Sequence, residues 1–95
     1  MSAIPPTLGL FARQLDTAFE VAAQRPLALM LYEVDPLDPR HPDARHFSLM
    51  FRGPAQPLLP QATWTLEHAE LGALAIFLAP VGRDAQGVQY QAIFN

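Results

Sequence analysis

Ninety-five residues bound the chain to one small domain, 1–95, able to bury only about 60–65% of the surface its unfolded form exposes. The chain has no cysteine, which excludes disulfides and thiolate metal sites, and at 51% apolar and 16% charged it is not a disordered chain. The net charge is −3 and all six basic residues are scattered arginines, so the basic stripe required by a nucleic-acid backbone is missing.

The opening MSAIPPTLGL lacks the basic start and apolar run of a signal peptide, and no run reaches the ~18–20 apolar residues of a membrane span. Cytoplasmic synthesis is expected, with later incorporation into an exported or particle-associated assembly left open. Arginine without lysine suits an interaction surface. A codon bias towards Ala, Arg, Pro and Gly explains it as well.

Residues 1–6 read as a flexible lead-in ending in Pro5-Pro6. Thr7 can cap a short helix in which Leu8, Phe11 and Leu15 fall at helical spacing. A single helix through Ala18 and Ala22 is the rival to helix plus strand. The favoured reading is a short helix, then a strand with Thr17, Phe19 and Val21 on one face. PLALMLYEVDP, 26–36, is an apolar run between prolines and predicts a strand with both faces at least partly covered. Residues 36–45 form a proline-rich loop.

RHFSLMFR, 45–52, alternates: Phe47, Leu49 and Phe51 face one way, His46, Ser48, Met50 and Arg52 the other. A second proline-rich loop, 53–60, follows. Ala62, Trp64 and Leu66 then share a face, HAELG turns, and Leu74, Ile76 and Leu78 share the next inward face. PVGRDAQG is expected to turn again. The last strand, VQYQAIFN, places Val88, Tyr90, Ala92 and Phe94 inward. The fold class is mainly β: a small antiparallel meander of about six strands, forming a barrel or a sandwich, with one short N-terminal helix.

Residues 47–54 (FSLMFRGP), 59–68 (LPQATWTLEH) and 71–95 (LGALAIFLAPVGRDAQGVQYQAIFN) resemble the DUF6916 family of small bacterial proteins of unknown function. The resemblance covers about the last fifty residues in order and spacing; the N-terminal half agrees in layout. The chain departs from the pattern at Ala62-Thr63-Trp64, where the family often has Gly-Thr-Tyr, and at AAQRP, 22–26, where it often has a Gly-containing tight turn. The resemblance implies an association with phage-tail-collar or tail-fibre-like proteins.

Five features carry candidate chemistry. Glu67, His68 and Glu70 cluster at a hairpin tip, where water solvates them; His68 is expected to bond turn backbone at most. Asp35, Asp38, His41, Asp43 and His46 offer oxygen and nitrogen donors but match no ligand frame, so no metal or other cofactor is expected. Ser48 has no strand–turn–helix elbow around it, and hydrolase chemistry is not expected. In FRGP, the resemblance implies a docking shape with Arg52 as its anchor; the alternative is turn chemistry alone, with Gly53 expected to supply an unusual dihedral and Pro54 to end the strand. Met50, Phe77 and Ile93 face outward among small alanines, and either the N-terminal helix or a partner covers them.

The expected function is a non-enzymatic interaction or assembly module, structural or accessory to a phage-tail-like or fibre-like assembly. Its interaction residues would be Arg52, Gly53, Pro54, Phe77, His41 and Arg45. The partner would be a protein, a tail-collar or fibre-like one or further copies of the chain, with no nucleic acid and no membrane span. The alternative is a barrel binding a small ligand or carbohydrate, with Trp64 and Tyr90 at its mouth. An enzyme would need Glu67, His68 and Asp84 to converge in a cleft.

Overall fold

Alternation dominates this chain because its strands have one wet and one dry side. A computed structural model describes residues 6–95; the lead-in expected over 1–6 lies, apart from Pro6, outside them. Helix α1 spans Leu8–Ala12, and the extended Thr7 caps it by accepting the Leu10 N–H at 3.2 Å. The strands are β1 Ala18–Val21, β2 Ala28–Pro36, β3 Phe47–Gly53, β4 Ala62–His68, β5 Gly72–Asp84 and β6 Gly87–Phe94. A short 3-10 turn over Ala22–Gln24 follows β1. Helix followed by strand is therefore the outcome over 8–24.

The six strands form one antiparallel sheet in the order β1-β2-β3-β6-β5-β4, and β1 pairs with β4 to close it into a barrel-like ring. The ring consists of two three-stranded meanders. The 54–61 loop joins them by crossing from the end of β3 to the start of β4 rather than continuing to the next neighbour. Closure leaves no long free edge, which suits a chain with few charges to guard one.

Inward positions follow the predicted alternation: Phe47, Leu49 and Phe51 on β3, Leu66 on β4, Ile76 and Leu78 on β5, and Val88, Tyr90 and Ala92 on β6 are all buried. Strand β2 departs from expectation. Leu29 and Leu31 are buried while Ala28 and Met30 are exposed, so only one of its faces is covered. A bulge at Tyr32, between Leu31 and Glu33, then shifts the register against β3.

Strand β5 also departs, because it continues through Pro80, Val81 and Gly82 to Asp84 where a turn was expected. Its last β4 partner is Leu78, opposite Ala62. Beyond it β5 is an edge, where proline is tolerated, and a bulge at Val81 absorbs the irregularity.

The two open ends of the ring are closed differently. At one, α1 lays Phe11 over Phe19, Phe47 and Phe94, with ring centroids 6.3, 5.7 and 5.6 Å away; Phe47 and Phe94 stack at 4.7 Å. The helix thus caps an end of the barrel and does not cover the outer face of β5, one of the two covers expected for Phe77. At the other end Leu59, from the proline-rich loop, is 1% exposed, and its N–H donates to the Tyr90 hydroxyl at 3.0 Å. Gly53 and Gly87 let the backbones close up beside it. A Cβ on Gly53 would lie 2.6 Å from Leu29 Cδ2, and one on Gly87 would strike the Gly53 carbonyl oxygen.

Candidate functional site

The hairpin between β4 and β5 puts Glu67, His68 and Glu70 beside the capping helix. Here the expectation of a solvated tip is corrected: His68 is 8% exposed and its ring lies 4.5 Å from that of Phe19. Its Nδ1 accepts the Glu70 and Leu71 N–H groups at 3.0 and 3.2 Å, the turn-backbone bond anticipated for it. That leaves the proton on Nε2, which donates to Thr17 Oγ1 at 2.8 Å; the hydroxyl in turn donates to the Gln14 carbonyl at 2.7 Å. The Gln14 amide, itself buried, donates to Glu70 at 2.7 Å. The bonds from Glu70 to Gln14 and from His68 to Thr17 fasten the segment that follows α1 to the hairpin. Gln14, the residue that ties it together, gave no periodic or motif signal in the sequence.

Glu67 faces outward and away from His68. Arg25 bonds its carboxylate and also reaches Glu20 at 3.3 Å. Glu20 and Glu67 are direct partners across the closing β1–β4 seam, so Arg25 neutralises a like-charge pair there. Asp84 lies at the opposite end of the ring, where the β5–β6 turn binds it through Gln86 and Gln89. The Glu67/His68/Asp84 convergence that an enzyme would need does not occur.

His41 and Arg45 lie on the 37–46 loop at the helix end. His41 Nδ1 is 3.2 Å from Asp38, and Arg45 grips Asp43 through backbone and side chain. The Arg45 side chain first, and its backbone N–H second, pull the Asp43 carboxyl down from 3.8 to about 2. Among the described residues no three His, Asp or Glu side chains gather as metal ligands.

Arg52, Gly53 and Pro54 occupy the other end of β3, so the structure does not bring them together with His41 and Arg45. Gly53 corrects an expectation: its φ is not positive, and glycine is needed there because Leu29 and Tyr90 leave no room for a Cβ. Pro54 lies just past the strand end, as expected.

Arg52 does share a surface with Phe77, the outer wall made by β3, β6 and β5. Ladder pairs set Ser48 beside Ile93, Met50 beside Gln91, which faces Ala79, and Arg52 beside Gln89, which faces Gly82. Phe77 is 51% and Ile93 52% exposed, and continuing the β5–β6 register brings them to one level. Neighbouring β2 adds Tyr32, Glu33 and Asp35. The Arg52 guanidinium lies 4.5 Å over the Tyr32 ring; among the described residues its buried Nε has no acceptor, and the carboxylate that reaches it, Asp84, is 4.0 Å away. The neighbouring Asp35 carboxyl, with slight burial, raises the Glu33 carboxyl above its ordinary value.

The model of the family described as a domain of unknown function, DUF6916, matches residues 6–94. The chain belongs to this family. The match takes in the N-terminal half as well as the C-terminal motifs. No curated protein and no solved structure matches the chain. Most residues of the DUF6916-like motifs have structural roles here. Phe47, Leu49 and Phe51 fill the barrel, Gly53 and Leu59 close one end, His68 fastens the other, and Tyr90 and Ala92 point inward. Arg52 is the motif residue with a buried side-chain nitrogen that has no acceptor among the described residues. Among the described residues no helix is long and apolar enough to cross a membrane.

Proposed function

We propose that the chain is a non-enzymatic interaction module that works through the outer wall of β3, β6 and β5, as a structural or accessory part of a phage-tail-like or fibre-like assembly. The observation that carries this reading is the wall itself. Large apolar side chains stand out from a small barrel beside an arginine that the fold leaves short of acceptors. The tail-like setting rests on the family resemblance.

The ligand-binding alternative loses support inside the barrel. Phe11, Phe19, Phe47, Phe51 and Tyr90 are all fully buried there, which fills the lumen of so small a ring. Trp64 and Tyr90, its proposed mouth, bond Pro60 and Leu59 instead.

The test is affinity capture of the tagged chain from its own host's lysate, wild type beside Phe77→Asp, with mass spectrometry of what co-purifies. A stoichiometric tail- or fibre-type protein held by the wild type and lost from the folded variant supports the assembly reading. Recovery of the chain alone counts against it.

A further inference from the structure

Two opposite charge deficits lie on one wall. Glu33 and Asp35 stand two residues apart on β2, both exposed, and among the described residues neither forms an ion pair. Glu33 faces Met50, and the next outward residue on β3 is Arg52. The two do not pair, because the bulge extrudes Tyr32 and the guanidinium lies over its ring. Among the described residues Asp84, which also accepts from Gln86 and Gln89, is the one carboxylate that reaches Arg52, and it does so only at 4.0 Å. The outward residues of β3 and β6 between these charges are neutral: Ser48, Met50, Gln89, Gln91 and Ile93.

A wall that needs a cation for its acids and an acid for its cation is complementary to itself, which is the requirement for a two-fold contact between identical surfaces. A foreign partner would have to supply both signs in the right order; a second copy does so by construction. We propose that a second copy of this chain docks on this wall, in a two-fold dimer that sets each Arg52 against Glu33 and Asp35 of the other copy. A two-fold axis crossing β3 between Met50 and Arg52 reverses the strands and exchanges the level of Glu33 with that of Arg52. Met50 then lies against the stem of the other copy's Arg52, while Ile93 and Phe77, level with Ser48, fall opposite the β5–β6 turn. The wall with β2, four strands about 4.8 Å apart and about seven residues long, is at the small end for a specific interface, so the dimer is a weak one, with a dissociation constant about micromolar or higher. The inference rests on the reading of this wall as an interaction surface.

Sedimentation equilibrium at low ionic strength, from ~1 μM to ~1 mM chain, tests it on the wild type, Arg52→Glu, Glu33→Arg and the double variant. The wild type is expected to dimerise, either single reversal to raise the dissociation constant at least about tenfold, and the double variant to return to within about threefold of wild type. Circular dichroism checks that each variant is folded. Should Arg52→Glu unfold, Glu33→Arg, at an exposed position, carries the test alone. A wild type that is monomeric throughout, or a dimer indifferent to the reversals, overturns the proposal. A monomeric chain that still captures a tail- or fibre-type protein overturns the dimer and leaves the assembly reading standing.

Discussion

At one end of the ring Phe11, carried by a capped helix, sits over three aromatic rings, and a half-buried chain of hydrogen bonds from Glu70 through Gln14 and Thr17 to His68 holds the helix down. At the other end there is no helix. Leu59 closes the barrel from a loop, and what secures it is the near contact of Gly53 with Gly87 and one bond to the Tyr90 hydroxyl. The first end is closed by side chains, which can be exchanged for others of similar shape. The second is closed by backbone, which leaves no room for an added atom. Small changes should therefore be tolerated unequally at the two ends.

The sharpest way to break this comparison is Gly87→Ala. Its φ of +129° is a region glycine occupies almost alone, and the new methyl would meet the Gly53 carbonyl, so a loss of about 5 kcal/mol is expected. Urea unfolding showing a loss below about 1 kcal/mol would refute the backbone closure. At the helix end Phe11→Ala should cost roughly 4 kcal/mol, while Phe11→Leu should recover most of it because shape rather than backbone is at stake. Equal damage from both substitutions would mean that the helix end is as intolerant as the loop end.

The polar fastenings come next. His68→Ala removes a buried ring that serves three partners and should cost about 2–3 kcal/mol; Tyr90→Phe strands a single buried N–H and should cost about 1 kcal/mol. The reverse order would show that the loop end relies on its hydroxyl more than on its glycines.

The smallest effect concerns the 37–46 loop beside the helix. The folded Asp43 carboxyl titrates at about 2, below its ordinary 3.8. The clasp with Arg45 therefore contributes fully above pH ~4 and fades as pH falls through ~2. In Arg45→Ala the guanidinium that bonds the carboxylate is gone and the Asp43 titration, followed by carboxyl carbon NMR, should move up towards its ordinary value. An unmoved titration would assign the depression to the backbone N–H instead.

The sequence made the middle of the barrel legible and its ends much less so. Phe47, Leu49 and Phe51, or Leu74, Ile76 and Leu78, declare their faces because a strand repeats every two residues. Thr7 declared a helix start for an equally local reason. Leu59 gave no sign, since a leucine among prolines has no period and its burial depends on where the ring closes. His68 looked wet because the helix that buries it is fifty residues away in sequence. Gly53 was singled out correctly but for a conformational reason, when the cause is crowding by two side chains from other strands. Of the candidate surface, Arg52 and Phe77 were visible as outward residues. That β6 joins them into one wall, and that a bulge keeps Arg52 from Glu33, follows from register alone.

The seam that closes the ring consists of two residue pairs, Glu20 with Glu67 and Val21 with Leu66, clipped by one exposed arginine. Each three-stranded meander forms from neighbours in sequence, but this seam has to bring together chain segments more than forty residues apart, so much loop-closure entropy is spent on few bonds. The barrel therefore behaves kinetically as a sheet with a latch. Amides at the seam should exchange with solvent through a local opening far cheaper than global unfolding, while those of the β3–β6 ladder wait for the whole fold to come apart.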